Sequence, residues 1–381
     1  MLDKHTGIRK LFPFMENRIY LDAAHFVPYS VRVADKVKQF IDDYINGRIH
    51  LGKFQLEKAD ELRHTCGKLI NAPHEDIIIT SNTTHGINIF ANGINLIPGN
   101  NNVAFLNTEF PAVVYPWLNQ ERLGRVNVFM IPSVKGYANE TLIKKSLLEY
   151  NIRVFTISYV QFLGYRYNIR SLAEFCRKHD IFLLVDAIQA AGVSPINAEH
   201  LGIDYICAGN QKWMMSPAGT GFTYISKRYQ QFIEPTYAST INIKYDFENF
   251  LNYKLNFKEG GAAYENSTAN TLGMIGMNEA LIHFMELGVE NIFNHIIELL
   301  DAFIELLDRT KYRIESDLTP EHRSNILIFS SNDQTKNKEI QKLLEEKNIF
   351  IALREGYLRL SPHIYNNLQD IKALTEELNS L

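Results

Sequence analysis

The sequence predicts an α/β protein: a mostly parallel seven-stranded sheet with helices on both faces, followed by a small α+β unit. Seven short apolar runs bounded by turn residues recur as far as Ile225. Amphipathic stretches of helical period separate most of them, and the pattern changes after about Phe257. At 381 residues the chain exceeds what one hydrophobic core usually serves, so a large and a small domain sharing a cleft are expected.

The runs are Ile77 to Thr80, Val103 to Leu106, Val126 to Ile131, Val154 to Ser158, Ile181 to Val185, Tyr205 to Cys207 and Gly221 to Ile225. Each is short and apolar, as strands buried on both faces are. Stretches such as Leu172 to His179 carry the helical period between them, which implies a largely parallel sheet. Beyond Phe257 come two long helical segments (Ala269 to Leu287, Glu290 to Thr310), a strand at Asn325 to Phe329 and a helix near Lys336 to Lys347. Short strands about Phe350 to Ala352 and Leu358 to Leu360 and a last helix complete the chain. The segment Tyr237 to Gly261 is rich in Asn, Tyr and Phe with few periodic positions and reads as a loop-like link. The expected division is an N-terminal segment 1–18 packing with the small domain, a large domain 19–257 and a small C-terminal α+β domain 258–381.

With 46% hydrophobic and 22% charged residues the composition is that of a globular protein, which excludes a disordered or fibrous chain. A net charge of −4, with Lys and Arg scattered among Asp and Glu, marks no nucleic-acid face. Cys66, Cys176 and Cys207 form no Cys-x-x-Cys pair and are odd in number, which fits reduced thiols and a cytoplasmic location. Residues 1–14 lack an apolar signal core, and no apolar run approaches the ~20 residues of a membrane span.

The sharpest local signal is Ala208-Gly209-Asn210-Gln211-Lys212-Trp213, which follows a strand and precedes the Gly/Pro-rich turn Ser216 to Gly221. A lysine there points into the crevice at the carboxyl ends of the strands, where open α/β sheets bind ligands. Partial burial would lower its pKa and favour the free amine that attacks a carbonyl. A lone lysine in a loop is more often solvated, so companions have to support it. Asp186 ends the run Ile181 to Val185 and delivers a carboxylate to the same edge, where it would keep a pyridine nitrogen protonated. Gln189 could reach a phenolic oxygen; a helix cap or a magnesium ligand explains Asp186 equally well.

Thr80-Ser81-Asn82-Thr83-Thr84-His85-Gly86 follows a strand and opens a helix, so hydroxyls and free N–H groups form a phosphate seat. Plain N-capping accounts for one hydroxyl but not for the run. Phe110, in Thr108 to Ala112, could stack on an aromatic ligand or simply fill the core. Arg359, in Gly356 to His363, could grip a carboxylate with two parallel hydrogen bonds, although a surface salt bridge is the commoner role.

With these residues in place the sequence resembles the class V aminotransferase family of fold-type I pyridoxal-phosphate enzymes, which also holds cysteine desulfurases, kynureninases and isopenicillin-N-epimerase-like proteins. The likeness runs from Ile19-Tyr20-Leu21-Asp22-Ala23-Ala24 through Thr83 to Asn88, Val185 to Gln189 and Gln211-Lys212-Trp213 to Arg359 to Asn366. It implies pyridoxal 5'-phosphate bound by the large domain, Lys212 as the Schiff-base lysine, Asp186 at the ring nitrogen, Gln189 at the phenolic oxygen and Phe110 stacked on the ring. It places Thr84 and Thr83 at the phosphate, Gln211 where relatives often carry a phosphate-binding His, and Gln161 at a polar cofactor contact. Arg359 would hold the substrate carboxylate. Thr268, in the stretch Tyr264 to Asn270, would reach the phosphate of a partner subunit, which makes the expected assembly a homodimer. Ser267 stands where the family usually has Gly.

Desulfurases need a mobile-loop cysteine shortly before the substrate arginine, and residues 348–359 contain none. The resemblance therefore points to transamination of a small amino acid first, with an epimerase or a C–S/β-lyase as alternatives. A binding protein of the same fold that has lost turnover is the rival from another class. No G-x-G-x-x-G or G-x-x-x-x-G-K-[ST] run supports a nucleotide-binding enzyme, and no H-E-x-x-H pair supports a metal hydrolase.

Overall fold

The computed structural model describes residues 7–96, 99–244, 248–249, 251–266 and 269–381. In chain order the elements begin with β1 (Ile19–Tyr20), α1 (Val31–Ile45), α2 (Leu51–Ile70), β2 (Ile77–Thr80), α3 (Thr83–Gly93) and β3 (Asn102–Leu106). There follow α4 (Pro111–Arg122), β4 (Asn127–Ile131), α5 (Glu140–Glu149), β5 (Val154–Ser158), α6 (Ile169–Lys178), β6 (Phe182–Asp186) and α7 (Ala198–Leu201). After β7 (Tyr205–Gly209), β8 (Gly221–Ile225) and α8 (Lys227–Gln230) come two long helices, α9 (Thr271–Leu287) and α10 (Val289–Leu306). The chain closes with β9 (Tyr312–Ile314), β10 (Leu327–Ser331), α11 (Asn337–Glu346), β11 (Ile349–Phe350), β12 (Ala352–Arg354), β13 (Tyr357–Leu360) and α12 (Leu368–Ser380).

The central sheet has seven strands in the order β2-β8-β7-β6-β5-β3-β4. All seven expected runs form it, and their side chains alternate between two apolar clusters. Leu183 and Val185 point into one, and Phe182 and Leu184 into the other, so both faces are covered. β8 runs antiparallel to both neighbours while the other pairs are parallel, so the carboxyl ends of β2, β3, β5, β6 and β7 share one edge. The reversal of β8 has a simple cause: residues 210–220 are too few for the helical crossover that a parallel return needs.

Polar caps begin the helices where the sequence supplies Ser or Asn. Ser30 accepts from Val33 N at the start of α1, and Asn82 accepts from His85 N at the start of α3. Asn367 and Asp370 form a reciprocal capping box on α12. A second, smaller sheet of four antiparallel strands has the order β12-β13-β10-β9. The run around Phe350 to Ala352 is two strands, because Ile349–Phe350 pairs in parallel with β1 while Ala352–Arg354 pairs with β13. β9 is an element the periodicity does not show, since three residues are too few to display an alternation. Arg9 donates to Asp370 Oδ2 at 2.8 Å and to Tyr365 O at 2.9 Å, tying the N-terminal residues to the last helix. Among the described residues no helix is long and apolar enough to cross a membrane.

Candidate active site

Open α/β sheets bind ligands beyond the carboxyl ends of their strands, and here that edge holds a cavity of about 350 Å³. β6 ends at Asp186, because its register with β5 continues to the pair Ser158–Asp186 although aspartate is a poor strand former. β7 ends at Gly209, three residues before Lys212. β2 stops at Thr80, ahead of α3, and β3 stops at Leu106, ahead of Phe110. Thr83, Thr84, Phe110, Asp186, Gln189, Gln211, Lys212 and Arg359 all line the cavity, together with Asn82, His25, Phe26, Phe162 and Arg354.

Lys212 is half-buried, and its Nζ sits 5.3 Å from the centre of the Phe110 ring. Among the described residues that ammonium makes no hydrogen bond or ion pair. Burial pushes its pKa down, and the guanidinium of Arg359 pushes in the same direction, while Asp186 and Asp22 oppose it. Asp186 is buried, and its Oδ1 accepts the Ile188 N–H at 2.9 Å. Burial raises the carboxyl pKa against the opposing effects of that hydrogen bond and Lys212. A half-buried amine shifted toward its free form and a carboxylate short of partners are the donor and acceptor a polar ligand would satisfy.

Gly209 matters for what it leaves out. A Cβ there would lie 2.6 Å from Gln211 Oε1 and 3.4 Å from Thr83 N, so the missing side chain keeps those two groups in one concavity. The Gly209 N–H donates to Thr83 Oγ1 at 2.8 Å. Thr84 is exposed in the first turn of α3, where leading N–H groups have no intrahelical acceptor.

Gln189 faces the cavity with both ends of its amide engaged: Oε1 accepts from Trp213 Nε1 at 2.7 Å, and Nε2 donates to Ala24 O at 3.3 Å. Gln161 lies behind the cavity wall, fully buried, with Nε2 donating to Glu109 Oε1 at 2.6 Å and its own Oε1 unpartnered. Thr268 lies outside the described residues. Arg359 is 2% exposed and already gripped: Nη2 donates to Asp22 Oδ1 at 3.0 Å and Nη1 to Phe162 O at 3.1 Å.

Three residues at this site carry no role in the sequence reading. Asp22, the carboxylate on Arg359, belongs to the N-terminal stretch 19–24, and only folding brings it across 337 positions to the arginine. Glu109, next to Phe110, accepts from Ser158 N, Ser158 Oγ and Gln161 Nε2; burial pushes its carboxyl up to about 7 in spite of those bonds. Arg354 reaches the cavity from the end of β12. A polar residue beside a strand end was the one available signal, and many residues share it.

The family model described as aminotransferase class-V matches residues 19–374, nearly the whole chain. This chain belongs to the aminotransferase class-V family. A probable cysteine desulfurase of Methanothermobacter thermautotrophicus is 25% identical to it, over 98% of this chain and 97% of that protein. The uncharacterized aminotransferase YcbU of Bacillus subtilis is 23% identical, over 97% and 96%. In fold the chain is similar to C-DES. A C-DES variant with glycine covalently linked to the PLP cofactor superposes with a TM-score of 0.88 at 20% identity, covering 97% of this chain and 98% of that one. The complex of the cystine C–S lyase C-DES with cysteine persulfide gives 0.86 at 20%, covering 96% and 98%.

Class V enzymes are pyridoxal-phosphate enzymes of fold type I, and both statements hold for this chain. The residues present fit the cofactor: an amine free of hydrogen bonds, a buried carboxylate, an aromatic face, and a concavity above Gly209 edged by a helix N-terminus and an amide.

Proposed function

We propose that the chain is a pyridoxal-phosphate-dependent C–S lyase, cleaving the bond between Cβ and sulfur in an amino-acid substrate. Asp186 would hold the ring nitrogen in its protonated form, Thr84, Thr83 and Gln211 would hold the phosphate, and Phe110 would cover one face of the ring. Bound there, the cofactor supplies an electron sink for negative charge developing at the substrate Cα. The carrying observation is the single cavity in which Lys212, held over Phe110 and depressed in pKa, stands between Asp186 and Arg359.

The chain's own groups divide the work. Arg359 orients the substrate through its carboxylate, exchanging part of its pairing with Asp22 for the ligand. The Lys212 amine removes the Cα proton, a task its lowered pKa suits near neutral pH.

Elimination is favoured over persulfide transfer because no cysteine lines the cavity among the described residues. Cys66, Cys176 and Cys207 are all buried, with thiol pKa values raised by burial. It is favoured over transamination by the likeness to a cystine C–S lyase, whereas the family name and the YcbU relative support transamination as the second reading.

Incubation of the holoenzyme with L-cystine and with neutral amino acids separates the readings. Release of a 2-oxo acid and ammonia with no added amino acceptor is the expected result. Product that forms only when a 2-oxo acid acceptor is supplied would replace elimination with transamination, and sulfur retained on the protein would replace it with desulfuration. We further propose a homodimer in which the segment holding Thr268 completes the neighbour's phosphate site. Leu251, Tyr253 and Leu255, 76%, 85% and 73% exposed, offer apolar surface for it. Sedimentation at twice the chain mass supports the pair, and sedimentation as a monomer with cofactor retained removes it.

A further inference from the structure

The cavity contains a second arginine, and the fold provides for it differently from the first. Arg359 has Asp22 and the Phe162 carbonyl. Arg354 is half-buried, its Nη1 donates to the neighbouring Leu353 O at 2.8 Å, and among the described residues no carboxylate lies within ion-pair distance of it. A cation lining a ligand cavity without a counter-charge is ordinarily matched by the ligand.

The position of Arg354 is set by the backbone. Glu355 (φ 48°) and Gly356 (φ 80°) both take left-handed conformations, as a two-residue hairpin turn requires. Asn337 Nδ2 pins that turn through Gly356 O at 2.7 Å. The resulting register pairs Arg354 with Tyr357 and Ala352 with Arg359, so the strand period of two sends both guanidiniums out from the same face. The hairpin therefore presents two cations to the cavity, with Lys212 as a third; Asp186 lines the same cavity, and Asp22 is already paired with Arg359. Arg354, Arg359 and Lys212 all line the one cavity.

We infer that Arg354 is a specificity-determining residue that pairs with a second carboxylate of the substrate, at the far end of its side chain or on its leaving group. Arg359 takes the α-carboxylate and Arg354 the distal one, so the substrate class is a dicarboxylic amino acid or an amino-acid disulfide rather than a neutral amino acid. This rests on the amino-acid reading of the cavity given above.

The test is calorimetric titration of the holoenzyme with glutarate, adipate, pimelate and suberate, each against the monocarboxylate of the same chain length. At least one dicarboxylate should bind roughly 10- to 100-fold more tightly than its match, the range for a hydrogen bond to a charged group. Arg354→Gln should remove most of that preference and Arg354→Lys should retain part of it. If monocarboxylates bind and no dicarboxylate binds more tightly, or if the preference survives Arg354→Gln, the inference is overturned while the amino-acid reading stands. If neither series binds and no amino acid alters the visible spectrum, both fall. On wild type alone, kcat/KM for elimination should favour L-cystine, which carries a distal carboxylate, over S-methyl-L-cysteine, which has the same Cβ–S bond without one; equal values count against it.

Discussion

Lys212 shows how a side chain acquires chemistry from its surroundings. An ammonium that is half-buried over an aromatic ring, close to a buried arginine, loses hydration without gaining a full partner, so its free-amine form is favoured. Replacing Lys212 with Ala in the holoenzyme should lower turnover by at least ~10²-fold, the smaller end of what a positioned general base contributes. The same shift has a thermodynamic consequence. The unfolded lysine binds its proton more tightly than the folded one, so the cofactor-free protein should gain stability as pH rises toward the unfolded value of 10.5. Cofactor-free Lys212→Met should be the more stable protein at pH 7 in urea unfolding, by a margin that shrinks as the pH is raised. Glu109 has the opposite sign. Its carboxyl, raised from 4.5 to about 7 by burial, holds a proton that the unfolded chain sheds, so its contribution is present below pH 4.5 and lost as pH rises through about 7. Glu109→Gln should therefore gain on wild type in unfolding free energy between pH 5 and 8, and a constant difference across that range would refute the assignment.

Helix α3 decides whether the Thr83-Thr84 turn reaches the cavity, and its seating depends on a glycine. A Cβ on Gly86 would lie 2.3 Å from Thr223 Oγ1 and 2.6 Å from Cys207 Cβ, inside the sheet that α3 covers. The Tyr205 hydroxyl also donates to Gly86 O at 2.8 Å, which fixes the helix over β7. Gly86→Ala should cost about 1–3 kcal/mol, as overpacking does, and should weaken cofactor retention because the helix start moves with it. Urea unfolding and cofactor release on dialysis measure the two effects. Thr83→Val removes the acceptor of the buried Gly209 N–H and should cost about 1–3 kcal/mol, the desolvation of one unsatisfied donor. If stability is unchanged, the Thr83–Gly209 bond does not bind α3 to the end of β7.

The N-terminal stretch, the central sheet and the smaller sheet meet at this site. Asp22 pairs with Arg359, the backbone at Asp22 forms a parallel bridge with that at Ser361, and His363 reaches the carbonyl of Trp213, whose ring in turn holds Gln189. The Ile364 N–H donates to His363 Nδ1, so the ring proton sits on Nε2 and donates to Trp213 O at 3.1 Å. Burial pushes this histidine down to about 3, so it stays neutral in the folded chain while the unfolded chain takes up a proton below 6.5. Stability should fall as pH drops from 6.5 toward 3, and His363→Asn should flatten that part of the acid-unfolding curve. Asp22→Ala leaves a guanidinium of 2% exposure without its counter-charge and should cost roughly 3–5 kcal/mol in thermal or urea unfolding. Little loss would mean that Phe162 O and water replace the carboxylate.

The seven strands were legible because each is an apolar run of a few residues closed by turn chemistry, and burial on both faces writes that pattern directly into composition. That Lys212, Asp186 and Thr84 come together at one cavity was legible because each follows a strand end in a short local motif. Neither the Asp22–Arg359 pair nor the Trp213–His363 contact could be read this way, since they join residues 337 and 150 positions apart, and such pairing leaves no periodicity in the chain. Gln161 kept its motif position, yet the fold turned its amide to Glu109, because a buried carboxyl needs donors and the strand-end geometry brought those two side chains together. Local patterning records which elements form; the charge environment of a side chain depends on which elements meet, and that follows from three-dimensional packing.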